Sequence, residues 1–352
     1  MPHRFGQSQG GPYIAGDGRT SGRAGRAGRT AAQYRQWSHA VSGAVVLVTG
    51  GSGFIGTWVL RELLNANVQI VVVDKQPALE RWARVMGTGS HEISFSDVLL
   101  TDRDGLERLL RQYSVTHVIH LAALLTPDCQ NDPWYGCQVN ILGSTAVFDA
   151  SRRVGSVQAI AYASSYAVYG DRTSDEPVAP SPPPTFYGAF KQAVDGIAAQ
   201  YWQHFGLRSI AVRPHVVYGP EREFGLTAGP SLACRAAVCG EPYVIGYTGV
   251  VGYDYVEDVA RAFVRGVLEC PAGATIVDLP SEPATPDEFV RCMTTCLPRS
   301  AELISVSGPS IPPNVPPHSR DIRKTFTDWR ATSLMEGVAR TIAYHQNTGG
   351  HR

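Results

Sequence analysis

Residues 45–56 read VVLVTGGSGFIG. Three valines and a leucine make a β-rich apolar run, and glycines then stand at Gly50, Gly51, Gly53 and Gly56. A helical pattern follows over 54–66, with Phe54, Ile55, Val59, Leu60, Leu63 and Leu64 apolar. Strand, glycine turn and helix in this order form a cradle for a pyrophosphate. The first glycine (Gly50) permits the tight turn, the second (Gly53) lets phosphate approach the backbone, and the third (Gly56) lets helix and strand pack closely. The helix N-terminus then faces the anion. A glycine pattern alone is weak, but here VQIVVVD (68–74) supplies a second strand ending in Asp74. A carboxylate at that point hydrogen-bonds the ribose hydroxyls of NAD and repels the extra phosphate of NADP. Lys75 directly after it softens that preference.

The same alternation continues outward. Helix is expected over 102–113, strand over 115–123, helix over 138–154, strand over 157–165, helix over 187–205 and strand over 208–219. Near-continuous apolar strands alternating with amphipathic helices imply a parallel sheet covered on both faces. From about residue 220 the pattern loosens, and Pro and Gly punctuate it. The expected division is a dinucleotide-binding domain over 43–220, with a return segment near 248–275. A smaller substrate lobe is expected from 221–247 and 276–347. Residues 1–42 are Gly/Arg-rich and nearly without apolar side chains, which predicts a disordered tail.

Composition removes several classes. The 352 residues are 43% hydrophobic and 18% charged with a formal net charge of +0, so no global field draws in nucleic acid or an anionic membrane. No run approaches the roughly 18 apolar residues of a membrane helix. The seven cysteines are odd in number and form no CxxC pair, and the ten histidines form no HxH or HxxxH. Free thiols in a reducing compartment, the cytoplasm, and no metal site are expected.

Tyr187 and Lys191 stand four apart at the start of the 187–205 helix and share a face. Such a pair is common on helices by chance. Its context is ASSYAVYG (163–170) at the end of the preceding strand, where Ser164 or Ser165 can donate to a substrate oxygen. A phenol with a pKa of about 10 is a poor base at neutral pH, and a neighbouring Lys ammonium and an oxidised nicotinamide would favour its phenolate.

These motifs, with Asp97–Val98, HLAA (120–123), Asn140, RPHVVYGP (213–220) and YVEDVA (255–260), fall in an order and spacing that resembles the extended short-chain dehydrogenase/reductase family. It is also called the NAD-dependent epimerase/dehydratase family. The resemblance implies an α/β fold of Rossmann type, a doubly wound parallel sheet with a smaller C-terminal α/β lobe. It implies Ser165, Tyr187 and Lys191 as the catalytic set, with NAD as cofactor. It places Gly50, Gly53, Phe54, Ile55, Gly56, Asp74, Lys75, Asp97, Val98, Leu121, Ala122, Ala123, Asn140, Pro214 and Val216 at that cofactor, beside Tyr187 and Lys191. Substrate contacts are expected from Leu124, Ser165, Tyr166, His215 and Thr227. The resemblance also implies a homodimer through the Tyr187 helix, whose apolar face carries Phe190, Val194, Ile197 and Tyr201. Asp258 is read as a helix N-cap, and His120 as a histidine bonded to backbone.

Three departures narrow the substrate. The residues after Ser165 are Tyr166 and Ala167, where dehydratases of the family carry an acid. Val216 replaces an Asn near the diphosphate of a nucleotide sugar, and Val251 stands where an Arg usually grips it. A diphosphate wants charge-assisted donors. Arg222, Arg235 or Arg320 could supply them from elsewhere. The reading is therefore an NAD-dependent dehydrogenase of a small sugar-like secondary alcohol. The alternatives are an epimerase that recycles bound NAD through a keto intermediate, and a non-catalytic NAD-binding regulator.

Overall fold

The computed structural model describes residues 43–170, 182–312 and 320–349. The Gly/Arg-rich stretch before residue 43 lies outside the described residues. The chain runs β1 (Val45–Thr49), α1 (Phe54–Asn65), β2 (Gln69–Val73), α2 (Leu79–Met86), β3 (Ile93–Ser96), α3 (Arg103–Gln112) and β4 (His117–His120). It continues with α4 (Thr126–Asn131), α5 (Pro133–Cys137), α6 (Ser144–Val154), β5 (Ala159–Ala163), α7 (Phe186–Phe205), β6 (Arg208–Arg213) and β7 (Val216–Tyr218). The remainder is α8 (Gly229–Cys239), β8 (Tyr243–Ile245), β9 (Val251–Tyr255), α9 (Val256–Leu268), β10 (Ala274–Asp278), β11 (Glu282–Ala284), α10 (Pro286–Cys296), α11 (Ser300–Leu303), β12 (Ile304–Val306), α12 (Ile322–Thr325) and α13 (Leu334–Asn347).

Seven strands form one parallel sheet in the order β10-β6-β5-β4-β1-β2-β3. Alternation along β1 feeds both faces. Val46 and Val48 enter one buried cluster with Trp58, Leu60 and Phe263, while Val45 and Leu47 enter the other with Leu106, Phe148 and Val194. The strand order reverses between β1 and β4, so the crevice beyond their C-terminal ends is where a ligand of such a sheet sits. Thr49 and His120 end those two strands.

Beyond β6 the chain leaves the sheet at Pro214. β7 then pairs with β9, and β9 with β11, in a three-stranded sheet, while β8 and β12 pair separately. The single strand expected over 208–219 is therefore two, because the proline has no N–H to continue the ladder. The helix expected from 138 opens with a π-helical turn over Gln138–Gly143 before α6 begins. The segment GLTAGPSLACRAAV forms a loop and then α8, with Pro230 in its first turn. No helix among the described residues is long and apolar enough to cross a membrane.

Candidate active site

The glycine turn closes onto β4. Gly50 takes φ 75°, and a Cβ there would lie 2.7 Å from the Ala122 N. Leu121 N donates to Thr49 O at 3.0 Å and Ala122 N to Thr49 Oγ1 at 3.3 Å, so Leu121–Ala123 are laid against the turn. A Cβ on Gly56 would collide with Gly50 O. Gly53 caps α1 with backbone alone, no side chain caps the helix, and its first turn holds no acid. The N–H groups at Phe54 and Ile55 thus start a helix whose positive end is left to an incoming anion.

Asp74 directly follows β2. Its Oδ2 accepts from Ser52 N at 3.0 Å and its Oδ1 from Lys75 N at 2.8 Å, so the carboxylate also pins the glycine turn. Lys75 Nζ reaches Tyr135 OH at 3.4 Å. Asp97 follows β3 and is exposed, with Val98 packed beneath α3. These residues line one edge of the crevice, and an uncapped helix start beside a carboxylate at a strand end has the chemistry a dinucleotide needs.

Asn140 is placed differently. It is 2% exposed, and its amide clamps the Leu124 backbone, accepting from Leu124 N at 2.8 Å and donating to Leu124 O at 3.0 Å. It shapes the Leu121–Leu124 wall from behind. Val216 is 4% exposed within the core. Pro214 accepts from Tyr166 N at 3.3 Å.

The three residues expected to be catalytic come together at the end of β5 and the start of α7. Ser165 caps a 3-10 turn (Tyr166–Tyr169) by accepting from Ala167 N at 3.2 Å, and its hydroxyl lies close enough to the Tyr187 phenol to favour the phenolate. Thr185 caps α7 by accepting from Gly188 N at 3.1 Å. Helix and turn nearly touch: a Cβ on Gly188 would lie 2.5 Å from Ala167 O. That close approach brings Tyr187 to Ser165.

One turn on, Lys191 is 6% exposed and donates from Nζ to Ala163 O at 2.7 Å, with Nζ 5.6 Å from the Tyr187 ring centroid. Burial pulls its ammonium down to about 8, against the pull of Asp195. The expected lowering of the Tyr187 phenol is reversed in the protein by itself. Burial pushes it up to about 12, and the neighbouring Ser165 hydroxyl only partly opposes this. Lys191 has turned its ammonium to a carbonyl instead of the phenol oxygen.

Beneath this set lies a buried network that sequence reading missed. Asp195 accepts from Tyr162 OH at 3.0 Å, Ser164 Oγ at 2.9 Å and Arg213 Nη2 at 2.5 Å. Arg213 also donates to Tyr169 OH at 2.6 Å, and Tyr169 donates to Asp278 at 2.7 Å. The signal was available: Asp195 stands four residues after Lys191, as Lys191 stands four after Tyr187. Ser164 is thus a strut of this network, and Ser165 is not part of it.

Other expectations change on inspection. Tyr166 is 5% exposed and donates its hydroxyl to Leu279 O at 2.8 Å, so it faces inward. His215 stacks edge-on against Tyr166 at 4.8 Å, and burial brings its imidazole down to about 4. Thr227 accepts from Arg222 at 2.9 Å. His120 bonds two hydroxyls, Thr49 Oγ1 at 2.7 Å and Ser144 Oγ at 2.9 Å, where backbone partners were expected. Asp258 is not an N-cap. Tyr255 precedes α9, and Asp258 instead accepts from Thr332 N and pairs with Arg261 at 2.8 Å. Val194 turns into the core against the sheet, and Phe190 is buried with its ring edge against Gly136 of α5. Among the described residues no cluster of His, Cys, Asp or Glu could hold a metal.

The model of the "NAD dependent epimerase/dehydratase family" matches residues 46–276. This chain belongs to that family. UDP-glucose 4-epimerase of Mycolicibacterium smegmatis is 28% identical over 320 residues, 86% of this chain and 98% of that protein. The crystal structure of the Thermus thermophilus UDP-glucose 4-epimerase in complex with NAD is 27% identical with a TM-score of 0.71, covering 85% of this chain and 98% of that one. L-Threonine dehydrogenase of Clostridium difficile has a TM-score of 0.76 at 17% identity, over 88% of this chain and 99% of that one, a likeness of fold.

Proposed function

We propose that the protein is an NAD-dependent oxidoreductase acting on a secondary alcohol of a small sugar-like substrate. The observation that carries this is the Ser165 hydroxyl set beside the Tyr187 phenol, with Lys191 one turn on along α7. Bound NAD supplies the hydride acceptor. Ser165 holds the substrate oxygen, and Tyr187 takes its proton. Lys191 supplies the positive charge that, with an oxidised nicotinamide, draws the phenol down from about 12. Asp74 favours NAD over NADP.

A substrate without a diphosphate is supported by Val216 and Val251, both buried, at 4% and 2% exposure. Arg320 is directed at Tyr169 OH at 3.4 Å, and Arg222 and Arg235 line a cavity that includes none of Ser165, Tyr187 and Lys191. An epimerase with retained NAD is the second reading, favoured by the near full-length match to UDP-glucose 4-epimerases. Residues 221–247 and 276–347 serve as the substrate lobe in either case. We also propose a homodimer through α7, whose Phe186 and Trp202 are exposed, and a cytoplasmic setting for its seven free thiols.

The test is to denature the purified protein and count the released nucleotide. Near-stoichiometric NAD, with interconversion of UDP-glucose and UDP-galactose, establishes the epimerase. Cofactor-free protein that makes NADH from a panel of sugars, sugar acids and hydroxy acids establishes the dehydrogenase. No turnover in either assay despite NAD binding leaves the regulator reading. A monomeric mass by light scattering at micromolar concentration refutes the dimer.

A further inference from the structure

A polar cavity opens between α2, the loop after β7, α8 and the end of α13. It shares no residue with the catalytic set or the glycine turn. Two carboxylates line it, and both are already neutralised. Glu221 accepts from Arg84 Nε at 2.9 Å and Nη2 at 2.7 Å, and Glu223 from Arg81 Nη2 at 2.6 Å. Two further guanidinium groups line it without a counter-charge. Arg222 donates only to neutral oxygens, Val217 O and Thr227 Oγ1. Arg235 makes no hydrogen bond or ion pair among the described residues.

An uncompensated charge in a partly buried wall is costly. Arg222 records that cost, since burial pulls its guanidinium down to about 10. His345, 7% exposed, and the Ser231 hydroxyl add neutral polar groups to the same wall. The loop that presents Arg222 carries strain as well, because Glu221 takes φ 70°, a conformation a non-glycine residue keeps only where its surroundings impose it. Two unmatched guanidinium groups call for an anion of charge near −2, and their forked donors suit tetrahedral oxyanion geometry.

We propose that this cavity is a second anion site that takes a phosphate dianion, free or as the end of a phosphate monoester, distinct from the pyrophosphate cradle at α1. The proposal does not depend on which reaction the catalytic set performs. Arg81 lies between the two places, donating to Glu223 and, at 2.7 Å, to Ser52 O of the glycine turn. Competition with NAD must therefore be measured directly.

The experiment is equilibrium dialysis of inorganic phosphate against the full chain saturated with NAD, repeated with glycerol 3-phosphate. Saturable binding of one phosphate per chain is expected. Arg235→Gln should weaken it by about tenfold or more, with an unchanged unfolding midpoint, because Arg235 has no hydrogen-bond or ion-pair partner among the described residues to lose. Arg235→Glu should abolish it. Tighter binding of glycerol 3-phosphate assigns the site to a monoester, and tighter binding of inorganic phosphate to the free ion. Absence of saturable binding, its loss on NAD saturation, or equal affinity in Arg235→Gln overturns the proposal.

Discussion

Asp254→Asn should stabilise the protein at alkaline pH and leave it unchanged near pH 4. Asp254 is 6% exposed on β9, and burial raises its carboxyl from 3.8 to about 7, with His215 N and Ser281 Oγ opposing by hydrogen bonds. Both of those bonds reach the same oxygen, Oδ2, at 2.7 and 2.9 Å. An asparagine with its carbonyl in that place keeps both and puts its amide at Oδ1. The folded state holds its proton to higher pH than the unfolded chain. The folded protein is therefore penalised as pH rises from 3.8 through 7, and the penalty is complete above that. Three pH decades at about 1.4 kcal/mol each give about 4 kcal/mol. Urea unfolding of both proteins at pH 4, 6 and 8 measures this, since all other titrating groups cancel in the difference. The gap between variant and wild type should grow from near zero to about 4 kcal/mol in favour of the variant. A gap independent of pH would refute the reasoning, because it would mean that the carboxylate's charge is not what the fold resists.

Asp195→Asn should cost about 3–5 kcal/mol in urea unfolding, because it leaves Arg213 as a buried charge without its counter-ion; a loss below 1 kcal/mol would show the network to be solvated. Gly188→Ala should lower kcat/KM about 100-fold, since its Cβ, 2.5 Å from Ala167 O, must retreat about 0.9 Å to reach an ordinary contact of 3.4 Å and a shift near 1 Å in a catalytic group costs about that much. Wild-type turnover in Gly188→Ala would refute the close approach as what brings Tyr187 to Ser165. Tyr187→Phe should lower kcat by about 10²–10⁴ with NAD affinity retained, and near-wild-type turnover would remove Tyr187 as the base.

The sheet and the glycine cradle were legible because each rests on local rules. Apolar runs near 45, 69, 117, 159 and 208 could only be buried strands, and Gly50 to Gly56 follow from the closeness of turn, helix and β4. The Tyr187–Lys191 pair was legible by helical spacing. What spacing could not give was the direction in which a polar group turns. Asn140, Tyr166 and His120 all stand beside the crevice, yet their polar atoms are taken by Leu124, by Leu279 and by Thr49 with Ser144. Each partner lies far off in sequence, or on a segment whose path only the fold decides. The inward turn of Val194 has the same origin, since a helix with apolar residues on much of its surface does not declare which side meets the sheet.

Tyr187, Lys191 and Asp195 recur every four positions, and each step drifts only about 40° around a helix of 3.6 residues per turn. All three therefore point toward the sheet edge, and they differ in what they do there. Hydrophobic burial presses α7 onto the sheet but is non-directional, so Val194 and Ala198 alone would tolerate a small slide along it. Asp195 does not tolerate one. It is held at three angles by Tyr162 and Ser164 from the β5 end and by Arg213 from β6. Any slide would part a buried carboxylate from a buried guanidinium. The register of α7, which decides whether the phenol of Tyr187 approaches the hydroxyl of Ser165, is thus fixed two turns away, by Asp195. Asp195→Asn should accordingly weaken turnover as well as stability. Asp195→Glu, which keeps the charge but lengthens the arm, should recover more stability than turnover, and equal recovery of both would assign Asp195 a purely structural part.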